Sequence, residues 1–109
     1  MKTIKLFKLS MFAVLVLTLP AKAWDGAVAG RILATHVTAG TNFGFRIELE
    51  GTPVMCTGGS AWAYLNDNDS NYKTFVSVLL LAKIQNVPVL VYSNFEYGQC
   101  HIGYISAGK

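Results

Sequence analysis

The sharpest hydrophobic–polar alternation in the chain sets Phe43, Phe45, Ile47 and Leu49 against Gly44, Arg46, Glu48 and Glu50. That period of two predicts a strand with one buried and one wet face. Upstream, Gly26 to Thr38 mixes small, apolar and β-branched residues and reads as a long first strand, bulged or bent at Gly30. Ala39-Gly40-Thr41-Asn42 and Gly51-Thr52-Pro53 are turn signals on either side of the alternating strand. A third strand is expected over Val54–Thr57 and Ala61–Leu65, interrupted at Gly58-Gly59.

The period then changes. Asn66 to Asn71 is a polar loop in which Asp69 or Ser70 is placed to cap a helix. From Tyr72 to Gln85, the spacing of Tyr72, Phe75/Val76, Leu79 and Ala82/Lys83 is helical. Val78, Leu80, Leu81 and Ile84 widen its apolar face beyond one stripe, which predicts cover on two sides, one by the sheet and one by a neighbouring subunit. Pro88 ends the helical region. Val87 to Tyr92 is apolar on both faces, as a central strand would be, Asn94 to Gly98 turns, and Gln99 to Ile105 forms the last strand. The order β-β-β-α-β-β, mainly β with one α-helix, is that of a small OB-fold-like five-stranded barrel with its helix at one end.

Charge changes the picture only once the first 23 residues are set aside. The 109-residue chain is formally +3, but Lys2, Lys5, Lys8 and Lys22 all lie before Trp24. The rest carries Arg31, Arg46, Lys73, Lys83 and Lys109 against Asp25, Glu48, Glu50, Asp67, Asp69 and Glu96. Five dispersed cations against six acids cannot supply the electrostatic term of nucleic-acid binding. Residues 1–23 have the three parts of a signal peptide: a lysine-bearing start, the apolar run Leu9 to Leu19, and Ala21-Lys22-Ala23 after Pro20. The run is too short to cross a bilayer as a helix, so the expectation is cleavage before Trp24, no membrane span in the mature chain, and a single domain over 24–109 in the periplasm or outside the cell.

Export changes the reading of Cys56 and Cys100, which are expected to form a disulfide. A zinc site with His36 and His101 lacks ligand spacing, and adjacent Cys100 and His101 point to opposite faces of a strand. Asp67-Asn68-Asp69-Ser70-Asn71 opens like a calcium loop, but Tyr72 and Val78 stand where its glycine and closing glutamate belong. Asn68-Asp69-Ser70 is also a glycosylation sequon. Ser60 and Ser93 lack the neighbours of a nucleophile, and nothing local pairs His36 or His101 with an acid. The expected chain is therefore no enzyme and carries no cofactor or metal. Trp62 and Tyr64 share one face of the third strand, beside Asn66, Asp67 and Asn68. Such rings stack on sugars, or else fill the barrel or a subunit contact. Trp24, Tyr92, Phe95 and Tyr97 are a second aromatic supply near turns.

The stretch Gly26-Ala27-Val28-Ala29-Gly30-Arg31-Ile32-Leu33-Ala34-Thr35-His36, behind Trp24 and ahead of a Phe-x-Ile-x-Leu strand and one long helix, resembles the B subunits of subtilase cytotoxin and typhoid toxin. Asp69-Ser70-Asn71-Tyr72-Lys73 and Cys100-His101-Ile102-Gly103-Tyr104-Ile105 also resemble segments of short exported proteins of Gram-negative bacteria. The toxin likeness implies an OB-fold homo-oligomer, a pentamer, that binds sialylated glycans or glycoproteins and carries a separate catalytic subunit. It places the sugar site at Ala29, with Val28 and Arg31 beside it, but Ala29 stands where those subunits have a binding serine. Taken together, the expected function is an exported recognition domain, glycan-binding in the toxin-like form, through Trp62, Tyr64, Asn66, Asp67, Ala29 and Arg31. The alternative is a periplasmic or secreted protein-interaction or inhibitor module.

Overall fold

The computed structural model describes residues 24–108, so the expected signal peptide lies outside the described residues. Among the described residues, six strands and one helix follow in the order β1 (Gly26–Gly30), β2 (Ile32–Val37), β3 (Phe45–Leu49), β4 (Ala63–Leu65), α1 (Tyr72–Gln85), β5 (Val89–Glu96) and β6 (Gln99–Ala107). They form one sheet in the order β1-β5-β6-β4-β3-β2, antiparallel except where β4 runs parallel to β6.

The expected five-stranded OB barrel is not what these strands make. The sheet is not closed into a barrel: β1 and β2 stand at the two ends of the strand order, with no ladder between them. The long first strand breaks at Arg31, behind Gly30, so that its first half pairs with β5 and its second with β3. The covalent chain through Arg31 runs directly from one end strand to the other. The expected likeness to an OB-fold toxin B subunit fails with the barrel, because its structural ground was a closed cylinder. The third strand is also shorter than expected, since residues 54–57 stay outside the sheet.

Alternation along β3 places Phe45, Ile47 and Leu49 in the core, as the pattern predicts. Ala63 and Leu65 of β4, Val89 and Val91 of β5, and Cys100 and Ile102 of β6 meet them from the same side. Burying each larger aliphatic stabilises by about 1.5–3 kcal/mol. The helix occupies the predicted residues, and within the single chain the sheet covers one side of it. Leu79 and Ala82 are buried, whereas Leu80, Leu81 and Ile84 face solvent among the described residues. Its N-cap is Asn71 in the left-handed region, with no side-chain cap, so neither Asp69 nor Ser70 takes that role. Asn86, also left-handed, closes the other end through its N–H to the carbonyls of Ala82 and Lys83.

Cys56 and Cys100 form the expected disulfide. It holds the loop before β4 against the start of β6. Gly59 is packed so closely on the two sulfurs that a Cβ there would collide with both.

Candidate recognition surface

Cross-strand register lines up Arg46 on β3, Tyr64 on β4, His101 on β6 and Asn94 on β5. Their side chains leave the sheet on the face opposite the aliphatic core, since period-two alternation sends their neighbours inward. The Tyr64 ring stacks on the His101 imidazole, centroids 4.7 Å apart and planes 6° from parallel. Phe43 packs edge-on against it at 4.5 Å, and Trp62 lies edge-on at 6.5 Å. Tyr64 is therefore fully buried although it lies on the outer face.

His101 is held between two carboxylates. Its Nε2 donates to Asp69 Oδ2 and its Nδ1 to Glu96 Oε1, each at 2.7 Å. A neutral imidazole has one donor nitrogen, so only the imidazolium satisfies both contacts. Burial lowers the His101 pKa, but the hydrogen bonds and charges of Asp69 and Glu96 outweigh it and hold the ring above its usual 6.5. Burial, followed by Glu96, Asp69 and Tyr97, pushes the Tyr64 phenol up to about 12. Its hydroxyl stays a donor, to the Glu96 carbonyl at 3.2 Å. Asp69 is placed for this by its own loop, where its carboxylate accepts the Asn66 N–H at 2.8 Å. The Asp69 N–H returns the bond to the Asn66 carbonyl at 3.0 Å.

Glu96 closes β5 at a two-residue hairpin turn, Tyr97-Gly98, with φ of 55° and 82°. Two successive positive φ angles define the turn whose twist suits a hairpin, and asparagine and glycine fill it with least strain. Tyr97 fills the first position with a bulky ring that is 87% exposed. Phe95 is exposed beside it and lies against Gly58. Because Phe95 stands opposite Cys100, one pair from the turn, the disulfide fastens this hairpin near its tip.

On the far side of His101, β6 and the first turns of α1 bound a cleft. Its His101 end, about 360 Å³, is lined by Leu65, Asp69, Ser70, Asn71, Phe75, His101, Ile102 and Gly103. It adjoins a volume of about 230 Å³ between Thr74, Phe75 and Val78 on the helix and Gly103, Tyr104 and Ile105 on β6. The two share Asn71, Phe75 and Gly103.

The residues expected to form a glycan site fall into two groups. Trp62, Tyr64 and Asn66 surround Phe43, and Asp67 follows them in the chain. The Arg46 guanidinium lies 4.5 Å from the Trp62 ring centroid, and the Asn66 Oδ1 accepts the Phe43 N–H at 2.8 Å. Asp67 is exposed, with its carboxylate against Gly40. Ala29 and Arg31 lie elsewhere: Ala29 pairs with Leu90, and Arg31 Nε donates to the Asn86 carbonyl past the end of α1.

Ser60 donates to Gln99 and buried Ser93 to the Met55 carbonyl, so neither hydroxyl meets a base. Among the described residues no group of three or more His, Cys, Asp or Glu side chains is arranged to hold a metal ion, and no helix is long and apolar enough to cross a membrane.

The Asp69–His101–Glu96 cluster escaped sequence reasoning. One signal was present: with the turn placed at Tyr97-Gly98, Glu96 and His101 become diagonal neighbours on one face of the hairpin. Comparison with protein-family models, with curated proteins and with solved structures finds no match to this chain.

Proposed function

We propose that the chain from Trp24 onward is an exported, non-enzymatic protein-recognition module that meets its partner through the β5–β6 hairpin. The observation that carries the reading is Tyr97. A bulky residue in the left-handed region costs about 1–3 kcal/mol, and here no burial offsets it, since the ring stands in solvent. Exposed, strained aromatics of this kind serve as anchors, because tyrosine brings large contact area with few rotatable bonds. Phe95 extends the patch, and the disulfide pre-orders the turn end of the hairpin, which reduces the ordering cost of binding. The disulfide also supports an oxidising compartment, in keeping with the leader expected over residues 1–23.

Glycan binding through Trp62 and Tyr64 has less support. Tyr64 is buried between His101 and Phe43, and Arg46 covers one face of Trp62. Self-assembly is the second reading, favoured by Leu80, Leu81 and Ile84 on the bare side of α1 and by exposed Leu33 on β2. Lys83 Nζ donates to the Leu33 carbonyl at 3.3 Å, so this apolar area spans helix and strand. The test is affinity capture from the envelope of producing cells with the wild-type chain and with Tyr97→Ser. A partner retained by the first and lost by the second, at equal stability, supports the module; identical capture by both refutes it. A concentration-independent monomer in native mass spectrometry removes the second reading.

A further inference from the structure

One stretch of β6 lacks a strand on the helix side. β4 pairs with β6 only at Ala63↔Cys100 and Tyr64↔His101, and then the chain turns away through residues 66–71 into α1. β6 continues to Ala107, paired with β5 along its other side. The direction of its free groups follows from the hairpin. Across a two-residue turn, Glu96 and Gln99 form a hydrogen-bonded pair, and bonded and non-bonded pairs then alternate. The register skips Gly103 where Tyr92 meets Tyr104 and Ser93 meets Ile102. Past that bulge, Ile105 and Ala107 turn their N–H and C=O groups away from β5. The Gly108 N–H to Pro88 carbonyl bond at 3.0 Å agrees with this phase. Among the described residues no other strand pairs with β6 beyond His101, and Ile105 lines the cleft against α1.

We propose that this cleft takes an extended peptide segment of a partner protein, added as a strand along Ile105–Ala107 in the lane that β4 vacates. Three observations support that occupant. Strand addition needs a row of open backbone groups with a wall behind it, and the first turns of α1 supply the wall. The floor of Phe75, Val78 and Ile105 is apolar, and the volume suits a few residues rather than a second domain. At the other end, two carboxylates around one imidazolium leave net negative charge, which selects a lysine or arginine on the incoming segment. The proposal rests on the reading of the chain as a protein-recognition module, and it states what the partner offers.

The probe is a synthetic acetyl-Lys-Val-Thr-Val-Thr-Val-amide, compared with two analogues, one N-methylated at its valines and one at its threonines. Binding is followed by amide NMR of the intact, oxidised mature protein at pH 6. A strand bonds through one edge only, so one analogue should lose at least tenfold in affinity and the other should not. The parent peptide should slow exchange of the Ile105 amide. Thr74→Trp, which fills the cleft from an exposed helix position, should abolish binding without changing the thermal midpoint. Equal binding by all three peptides, or an Ile105 amide that does not respond, overturns the proposal. Protection of that amide which grows with protein concentration before peptide is added would also overturn it, by assigning the edge to a second copy. Should the peptides fail while Tyr97→Ser still loses its captured partner, this inference alone falls; failure of both removes the reading beneath it too.

Discussion

Reduction of the Cys56–Cys100 bridge should cost this domain a large part of its stability. The bridge closes a loop of 44 residues. Constraining an unfolded chain over that length corresponds to about 4 kcal/mol in the chain-entropy model. Domains of this size are stable by only about 5–15 kcal/mol, so the loss is of the same order as the total. At about 4–8 °C per kcal/mol, the thermal midpoint should fall by roughly 16–32 °C. The assay is urea unfolding of the oxidised and fully reduced protein, read by tryptophan fluorescence. Because the effect acts on the unfolded ensemble, the reduced protein should also show a steeper denaturant dependence. Cys56→Ala/Cys100→Ala should be less stable again, since both side chains are buried and their volume is lost. A reduced protein within about 1 kcal/mol of the oxidised one, with an unchanged slope, would refute the claim that this bridge, by holding the loop before β4 against the start of β6, carries much of the stability.

Three further predictions follow from the hairpin and its surroundings. The His101 pKa is raised in the fold, so its contribution to stability is complete below the ordinary value of 6.5 and is lost as pH rises through the folded value. The thermal midpoint of the wild type should fall across that window relative to His101→Gln, and Asp69→Asn should lower the His101 titration seen by NMR; parallel pH curves for wild type and His101→Gln would contradict this. Tyr97→Asn should stabilise by about 0.5–1 kcal/mol, because asparagine suits the left-handed turn position, while capture of the partner is lost. Urea midpoints and affinity capture check the two halves separately. Gly59→Ala should destabilise by about 1–3 kcal/mol, since its Cβ meets both bridge sulfurs; a neutral result in urea would show that the loop can move aside.

Periodicity carried much of this fold in plain view. The helix follows the spacing of Phe75, Leu79 and Ala82, and β3 follows the alternation of Phe45, Ile47 and Leu49. The disulfide was readable from two cysteines behind a stretch that reads as an export leader. The barrel was not, because element order does not say whether a bent strand keeps one ladder. Here the break at Arg31 divides that strand between two ladders at opposite ends of the sheet. The cap was misjudged since Asp69 has a stronger use: its carboxylate meets an imidazolium and a backbone N–H, whereas the left-handed Asn71 ends the loop without side-chain help. The cleft itself is a product of where β4 stops, and three residues of strand leave no signature that an interior run of apolar residues lacks.

The most direct measurement places a photo-crosslinking phenylalanine analogue at Tyr97 and, separately, at Ser77 on the exposed side of α1 in the full chain. Illumination of intact producing cells should yield one discrete crosslinked species from position 97 and none of that mass from position 77, and its peptide map should contain a partner segment. No adduct at 97, or the same adducts from both positions, would contradict the claim that the disulfide-fastened hairpin is the surface by which this protein recognises another.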